Sequence, residues 1–167
     1  MAIAYKGRVF SVDVETIHSP DGRAHVVETV RHRPSVVLLP MPDAGHVVLV
    51  RQYRHSVGLH LWELPAGGVN EGESAEAAAA RECEEETALA PGLVERIRGL
   101  FPAPGFCDEE LVYFRLSDLH APAPDSPHTH DDDEYIEVKV FTVAEAKAMV
   151  EQGEIRDMKT AYGLTLI

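Results

Sequence analysis

The stretch from Leu61 to Thr87 constrains the fold more than any other part of the chain. A short apolar run, Leu61–Leu64, stops at Pro65 and is followed at once by Ala66-Gly67-Gly68. A rigid proline beside permissive glycines suits a tight turn in which backbone groups approach a ligand closely. The composition then changes sharply. Residues 74–87, SAEAAAARECEEET, are rich in alanine and glutamate, and Ser74 stands where a helix N-cap belongs. A strand, a tight loop and a strongly specified helix in succession set the frame for the rest.

Glu82, Glu84, Glu85 and Glu86 crowd the end of that helix. Carboxylates near a helix C-terminus oppose the macrodipole by about 0.3–1 kcal/mol each, and like charges at helical spacing repel. A solvated charged face is the ordinary reading of such a run. The cost is tolerated more readily where a cation neutralises the cluster. Helical spacing sorts the four. Residues i and i+4 lie ~40° apart and i and i+3 ~60° apart, so Glu82, Glu85 and Glu86 share one side. Glu84 lies ~200° from Glu82 and faces elsewhere. Three convergent carboxylates suit a hard divalent ion, Mg²⁺ first, with waters and substrate oxygens completing its shell. Arg81 is placed either to orient Glu85 at i+4 or to make an ordinary surface ion pair.

Around this centre the pattern is mostly β. Residues 8–17 and 24–33 read as a hairpin about Asp21-Gly22. Further strands are expected at 35–39, 46–53, 61–64, 93–101, 110–116 and 135–141, with Pro91-Gly92 closing the region around the first helix. Residues 120–133, rich in Pro, His and Asp, read as a long loop. Thr142 caps a second helix at 143–152, and a third is expected at 159–166. Strands and helices mix without regular alternation, which indicates an α/β or α+β class with a mixed sheet. The chain has 15 basic and 28 acidic residues, a formal net charge of −13. Such a field argues against nonspecific binding to nucleic acid or anionic membrane, and phosphate binding requires local cations or metal. No apolar run reaches the ~18 residues of a membrane span. The N-terminus lacks a signal-peptide pattern, and Cys83 and Cys107 read as reduced thiols, which together imply a cytoplasmic protein.

Taken together, these residues resemble the Nudix hydrolase signature: Gly67, Glu73, Arg81-Glu82-Cys83, Glu85-Glu86 and Ala88-Leu89, spread over 23 residues. Two positions depart from it. Cys83 stands at an aliphatic position, a mild change because buried Cys behaves as a small hydrophobe. Ala88 replaces the glycine near the helix end; if that position needs φ > 0, alanine costs roughly 1 kcal/mol. Pro104, about 15 residues past the motif, and the segments 50–54, 61–67, 131–138 and 153–160 are similar to ADP-ribose pyrophosphatases and related nucleotide-sugar hydrolases. The resemblance implies a mixed β-sheet sandwiched between α-helices, with an N-terminal β-hairpin arm (1–33) ahead of the hydrolase domain (34–167). It also implies a homodimer with exchanged N-terminal strands. Val9, Val12, Val14, Val26 and Val27 need cover that an isolated hairpin cannot supply.

The implied activity is hydrolysis of the pyrophosphate bond of ADP-ribose to AMP and ribose 5-phosphate, with Mg²⁺ as cofactor and Mn²⁺ as a possible substitute. GDP- or UDP-sugars are the alternative substrates. A nucleotide-sugar sensing domain without activity is the alternative class, disfavoured by the intact glutamate set. By the resemblance, Glu82 and Glu86 are direct metal ligands, Glu85 is a ligand or base, and the Ala66 carbonyl completes the shell. Glu134, on the 120–133 loop side, is the best match for a further catalytic carboxylate, with Asp132 second. Arg51 and Arg54 would clamp phosphate oxygens, as guanidinium does well. Glu28 matches an adenine-binding position, and Gly105 and Glu109 meet the terminal ribose side. His128 and His130, at i,i+2 without a cysteine, do not make a zinc site.

Overall fold

The computed structural model describes residues 2–126, 128 and 136–167. The chain opens with β1 (Ala2–Lys6), β2 (Phe10–His18) and β3 (Ala24–His32), which form an antiparallel sheet in that order. Strands β2 and β3 pair without interruption from Phe10 opposite His32 to His18 opposite Ala24. Their turn has Gly22 at φ 82°, a left-handed conformation that glycine adopts freely. The expected hairpin is thus present, with β1 added to its edge. Five residues are too few for alternation to show, and pairing with β2 decides their conformation.

There follow β4 (Ser35–Pro40), β5 (His46–Arg54), β6 (Leu59–Glu63), β7 (Ala66–Gly68), α1 (Ala75–Thr87), β8 (Ala90–Leu100), β9 (Leu111–His120), β10 (Glu137–Thr142), α2 (Val143–Glu151) and α3 (Met158–Gly163). A 3₁₀ turn at Leu164–Leu166 completes the expected third helix. One sheet runs β10-β5-β6 and another β7-β4-β9-β8, in which β4 and β9 are parallel and the other pairs antiparallel. The class is α/β with mixed sheets, as the pattern indicated.

Strand β4 is the axis of the core. Its Val36 and Leu38 pack with Val112, Phe114 and Leu116 of β9 under Ala78, Ala79 and Cys83 of α1. The small residues on that side of α1 let the helix lie close to the sheet. On the other side of β4, Val37 and Leu39 pack with Val47, Leu49, Tyr113, Phe141, Ala146 and Leu164. A strand buried on both faces reads as a continuous apolar run, which is how β4 was legible.

Several local readings differ. The segment Ala66–Gly68 is not only a turn: it pairs antiparallel with β4, Val37 opposite Ala66 and Ser35 opposite Gly68. Three small residues carry no period of their own. Pro91-Gly92 does not end an element but lies in β8, an edge strand, where the missing proline N–H disturbs no central ladder. Strand β9 extends to His120, beyond the expected end at 116. The strand expected at 135–141 is seen as Glu137–Thr142, Tyr135 lying outside the described residues. The N-terminal sheet meets the rest of the chain chiefly at one place. There the Val30 amide donates to the Phe106 carbonyl (2.7 Å) and the Asp108 amide to the Val30 carbonyl (3.1 Å). Among the described residues no helix is long and apolar enough to cross a membrane.

Candidate active site

Helix α1 starts at Ser74, whose hydroxyl accepts from the Ala77 amide (3.1 Å), and ends at Ala88 in the left-handed region, φ 55° and ψ 31°. The Ala88 amide still donates to the Glu84 carbonyl (3.0 Å). The strain expected from alanine at the motif's glycine position is therefore real, and the helix closes as if glycine were there.

Between these caps Arg81 organises the carboxylates. Its Nε and Nη2 donate to the two oxygens of Glu73 (2.9 and 3.0 Å), and Nη1 donates to Glu82 Oε1 and Glu85 Oε2, both at 2.7 Å. Nη2 also reaches the Gly68 carbonyl (3.1 Å), tying the helix to β7. The Arg81 bonds hold the Glu73 carboxyl below its usual range, and burial, though opposing the charge of Arg81, is outweighed by the carboxylates around it. Charge-assisted pairs of this kind are the strong ones. Arg81 thus pairs with Glu85 at i+4 and also with two further glutamates.

The strand–loop segment completes the arrangement. The Ala66 amide donates to Glu86 Oε2 (3.2 Å), and Glu86 is buried. A Cβ on Gly67 would stand 1.9 Å from the Glu82 carboxyl carbon, so only glycine lets the carboxylate lie against this backbone. Glu82, Glu85 and Glu86 stand on the side of α1 that the spacing assigned to them. Glu84 turns elsewhere and accepts from the Ser126 hydroxyl (2.6 Å). His128 Nδ1 lies 3.8 Å from Glu85 Oε1. Burial pushes the Cys83 thiol up to about 11, which leaves it a neutral filler of the core. As they stand, no three His, Cys, Asp or Glu side chains among the described residues form a ready cage for a metal ion. The donor set is nonetheless of the hard-oxygen kind that Mg²⁺ and Mn²⁺ take, and the Gly67 cradle keeps Glu82 against β7, so the residues fit such an ion.

Beside this cluster lies a cleft of about 360 Å³, lined by Ser35, Arg54, Ala66, Gly67, Glu109 and Lys159 among others. Glu109 accepts from the Ser35 hydroxyl (2.8 Å), and His32 Nδ1 is 3.3 Å from it. Arg54 grips the buried Glu63 through Nε (2.8 Å) and Nη2 (2.7 Å). Burial works against the Glu63 charge, but the Arg54 bonds and Lys159 outweigh it and hold its carboxyl below the usual range.

The expected phosphate clamp divides. Arg51 and Arg54 are three positions apart in β5, which places them on opposite faces. Arg54 lines the cleft, whereas Arg51 lies over the Trp62 ring (5.9 Å) with Nη1 3.4 Å from Glu137. Glu28 is exposed on β3 opposite Val14 and does not line the cleft. Gly105 is exposed with open space around it, while Pro102 and Glu109 from the same segment do reach the cleft. Glu134 and Asp132 lie outside the described residues. Sequence reasoning missed Ser35, Glu63, Asp157 and Lys159 as site residues. Glu63 and Lys159 lie in segments, 61–67 and 153–160, whose own pattern marks a strand end and a helix start but no ion pair between them.

The NUDIX domain family matches residues 31–160. The chain belongs to the Nudix family. This Nudix hydrolase is an enzyme that acts on pyrophosphate bonds. It is 34% identical to an ADP-ribose pyrophosphatase of Bacillus subtilis, over 96% of this chain and 85% of the relative. A GDP-mannose pyrophosphatase of Salmonella typhimurium is 33% identical, over 84% of this chain and 80% of the relative. The crystal structure of an ADP compounds hydrolase superposes with a TM-score of 0.85 at 21% identity, covering 99% of this chain and 88% of the other, which establishes the shared fold.

Proposed function

We propose that this Nudix hydrolase cleaves the pyrophosphate bond of ADP-ribose in a divalent-metal-dependent reaction, giving AMP and ribose 5-phosphate. The observation that carries the reading is the placing of the α1 carboxylates against Ala66-Gly67, beside a cleft whose wall carries Arg54 and Lys159. The likeness to an ADP-ribose pyrophosphatase along nearly the whole chain supports the choice of substrate.

Nudix hydrolases generally use divalent metal ions. Glu82, Glu85 and Glu86 with the Ala66 carbonyl would hold Mg²⁺, with Mn²⁺ as a substitute. Bound there, such an ion neutralises pyrophosphate charge and lowers the pKa of its water. The residues do the rest. Arg54, already gripped by Glu63, binds phosphate oxygens without losing further side-chain freedom. Glu85 or Glu134 takes the proton of the attacking water as its oxygen bonds to phosphorus, and the bridging oxygen leaves with the other phosphate. Arg81 holds the first of these carboxylates in place. Glu134→Gln with a near-normal kcat, where Glu85→Gln loses turnover, assigns the proton to the helix.

The protein acts as a homodimer in which the N-terminal strands reach across to the partner. In that assembly Glu28, which does not line this chain's own cleft, accepts from the adenine amino group of a substrate in the partner's site. A guanine offers a carbonyl at that edge and is repelled. A Mg²⁺-dependent panel of ADP-ribose, GDP-mannose, UDP-glucose and diadenosine polyphosphates, coupled to a phosphatase, tests the whole reading. ADP-ribose is expected to turn over fastest, and chelation of the metal to abolish activity. Faster turnover of GDP-mannose would overturn the substrate assignment, and full activity in chelator would overturn the role of the metal.

A further inference from the structure

We propose that Lys159, held beside Arg54 by the buried carboxylate of Glu63, is a second phosphate-binding cation of the cleft. This rests on reading the cleft as the site of a pyrophosphate substrate.

Glu63 ends β6 and is 1% exposed. A buried carboxylate has to be paired, and the fork of Arg54 alone engages both its oxygens at 2.7–2.8 Å. Lys159 nevertheless brings a second cation to Glu63 Oε2 from a segment 96 residues further along the chain. Its ammonium also donates to Asp157 Oδ2 (2.9 Å). Asp157 caps α3, accepting from the Thr160 amide (2.9 Å) and hydroxyl (2.5 Å). That hydroxyl in turn accepts from the amide of Leu64, the residue after Glu63 (2.7 Å). The ring of contacts fixes Lys159 from both ends, and the lysine is only 14% exposed.

Two positive groups therefore stand side by side on one cleft wall, in a chain whose formal net charge is −13. Arg54 retains its Nη1 donors and Lys159 one N–H beyond the bonds described. These are the groups that a phosphoryl oxygen would meet on entering a cleft that Ala66 and Gly67 also line. A preorganised pair of cations binds such an anion without ordering long side chains first. With Glu63 and Asp157 pairing the two cations, the network is formally neutral, so what it offers a phosphoryl oxygen in this acidic chain is fixed N–H donors rather than net positive charge.

The test uses α,β-methylene ADP-ribose, whose P–C–P link resists hydrolysis, titrated calorimetrically into the full chain in the presence of Mg²⁺. Lys159→Met is expected to weaken binding by about 10-fold, the loss of one charge-assisted bond. Lys159→Arg, which keeps the charge, should stay within about threefold of the wild type. Inorganic pyrophosphate, as a competitor, should lose affinity in Lys159→Met to a similar degree. If Lys159→Met melts before it can be titrated, Lys159→Gln, which retains a donor to Glu63, replaces it with the same expectation. Binding of the analogue by the neutral variant within twofold of wild type would overturn the role of Lys159 and leave the substrate reading standing. Failure of the wild type itself to bind the analogue would overturn the substrate reading.

Discussion

In α1, the carboxylates on the cleft side meet donors from their own chain. Glu82 and Glu85 receive Arg81, and Glu86 receives the Ala66 amide. In the sheet β1-β2-β3 and its first turn, by contrast, Ile3, Val9 and Val26 are each more than 60% exposed. Charge in the first region is satisfied within the chain, largely by residues on neighbouring turns of one helix. Apolar surface in the second is not. Along a helix, ion pairs can close over short sequence separations, because a long side chain spans one or two turns. A sheet face needs a whole layer laid over it, and the elements of this chain are engaged with β4. That asymmetry is why the helix is expected to govern chemistry and the N-terminal sheet to govern assembly and specificity.

The comparison can be broken at its chemical end first. Glu82→Gln or Glu86→Gln is expected to lower kcat about 100-fold, the scale of losing a preorganised charge at the reacting centre. Glu84→Gln should change kcat less than about twofold, because glutamine still accepts from Ser126. Equal losses at Glu82 and Glu84, in steady-state kinetics, would undo the sorting of the helix into two sides.

At the other end, Val26→Lys places a charge on the exposed face of β3. Light scattering is expected to show a dimer for the wild type and a shift toward monomer for the variant. A wild-type monomer with full activity would remove the N-terminal sheet from the site altogether. A smaller effect links the two regions. Glu28→Ala should raise KM for ADP-ribose about fivefold with little change in kcat, the pattern of lost uniform binding. A fall in kcat at unchanged KM would place Glu28 in the chemistry instead.

The smallest effect lies in the helix end. Ala88→Gly relieves a left-handed alanine and is expected to stabilise the fold by about 1 kcal/mol, raising Tm by roughly 2–4 °C. An unchanged or lower Tm would show that the strain is relieved elsewhere. The helix chemistry should not notice, so kcat serves as the control.

The sequence carried much of this region in advance. The Ser74 cap, the shared side of Glu82, Glu85 and Glu86 and the separate direction of Glu84 follow from 3.6-residue periodicity and local backbone preference, and all are found; the left-handed backbone at Ala88 was signalled only by the motif's glycine at that position. The short apolar run at 35–39 was legible as a strand, and the structure shows that both of its faces are buried. Residues 66–68 and Pro91-Gly92 were harder, since turn residues look alike in a loop and on the edge of a sheet until a partner strand is known. Arg51 and Arg54 do not share this chain's cleft because a three-residue spacing in a strand sends the two side chains to opposite faces.

What the sequence alone determined, then, is what is set by neighbours a few residues apart: the helix, its caps and its sided carboxylates. Only the tertiary structure decided that Glu63 at the end of β6 meets Arg54 from β5 and Lys159 from α3, and that Ser35 and Glu109 face the same cleft. The reason is physical. Such meetings depend on how β4 buries both its faces, drawing α1 to one side and the β10-β5-β6 sheet with α2 and α3 to the other. No short-range periodicity records that choice.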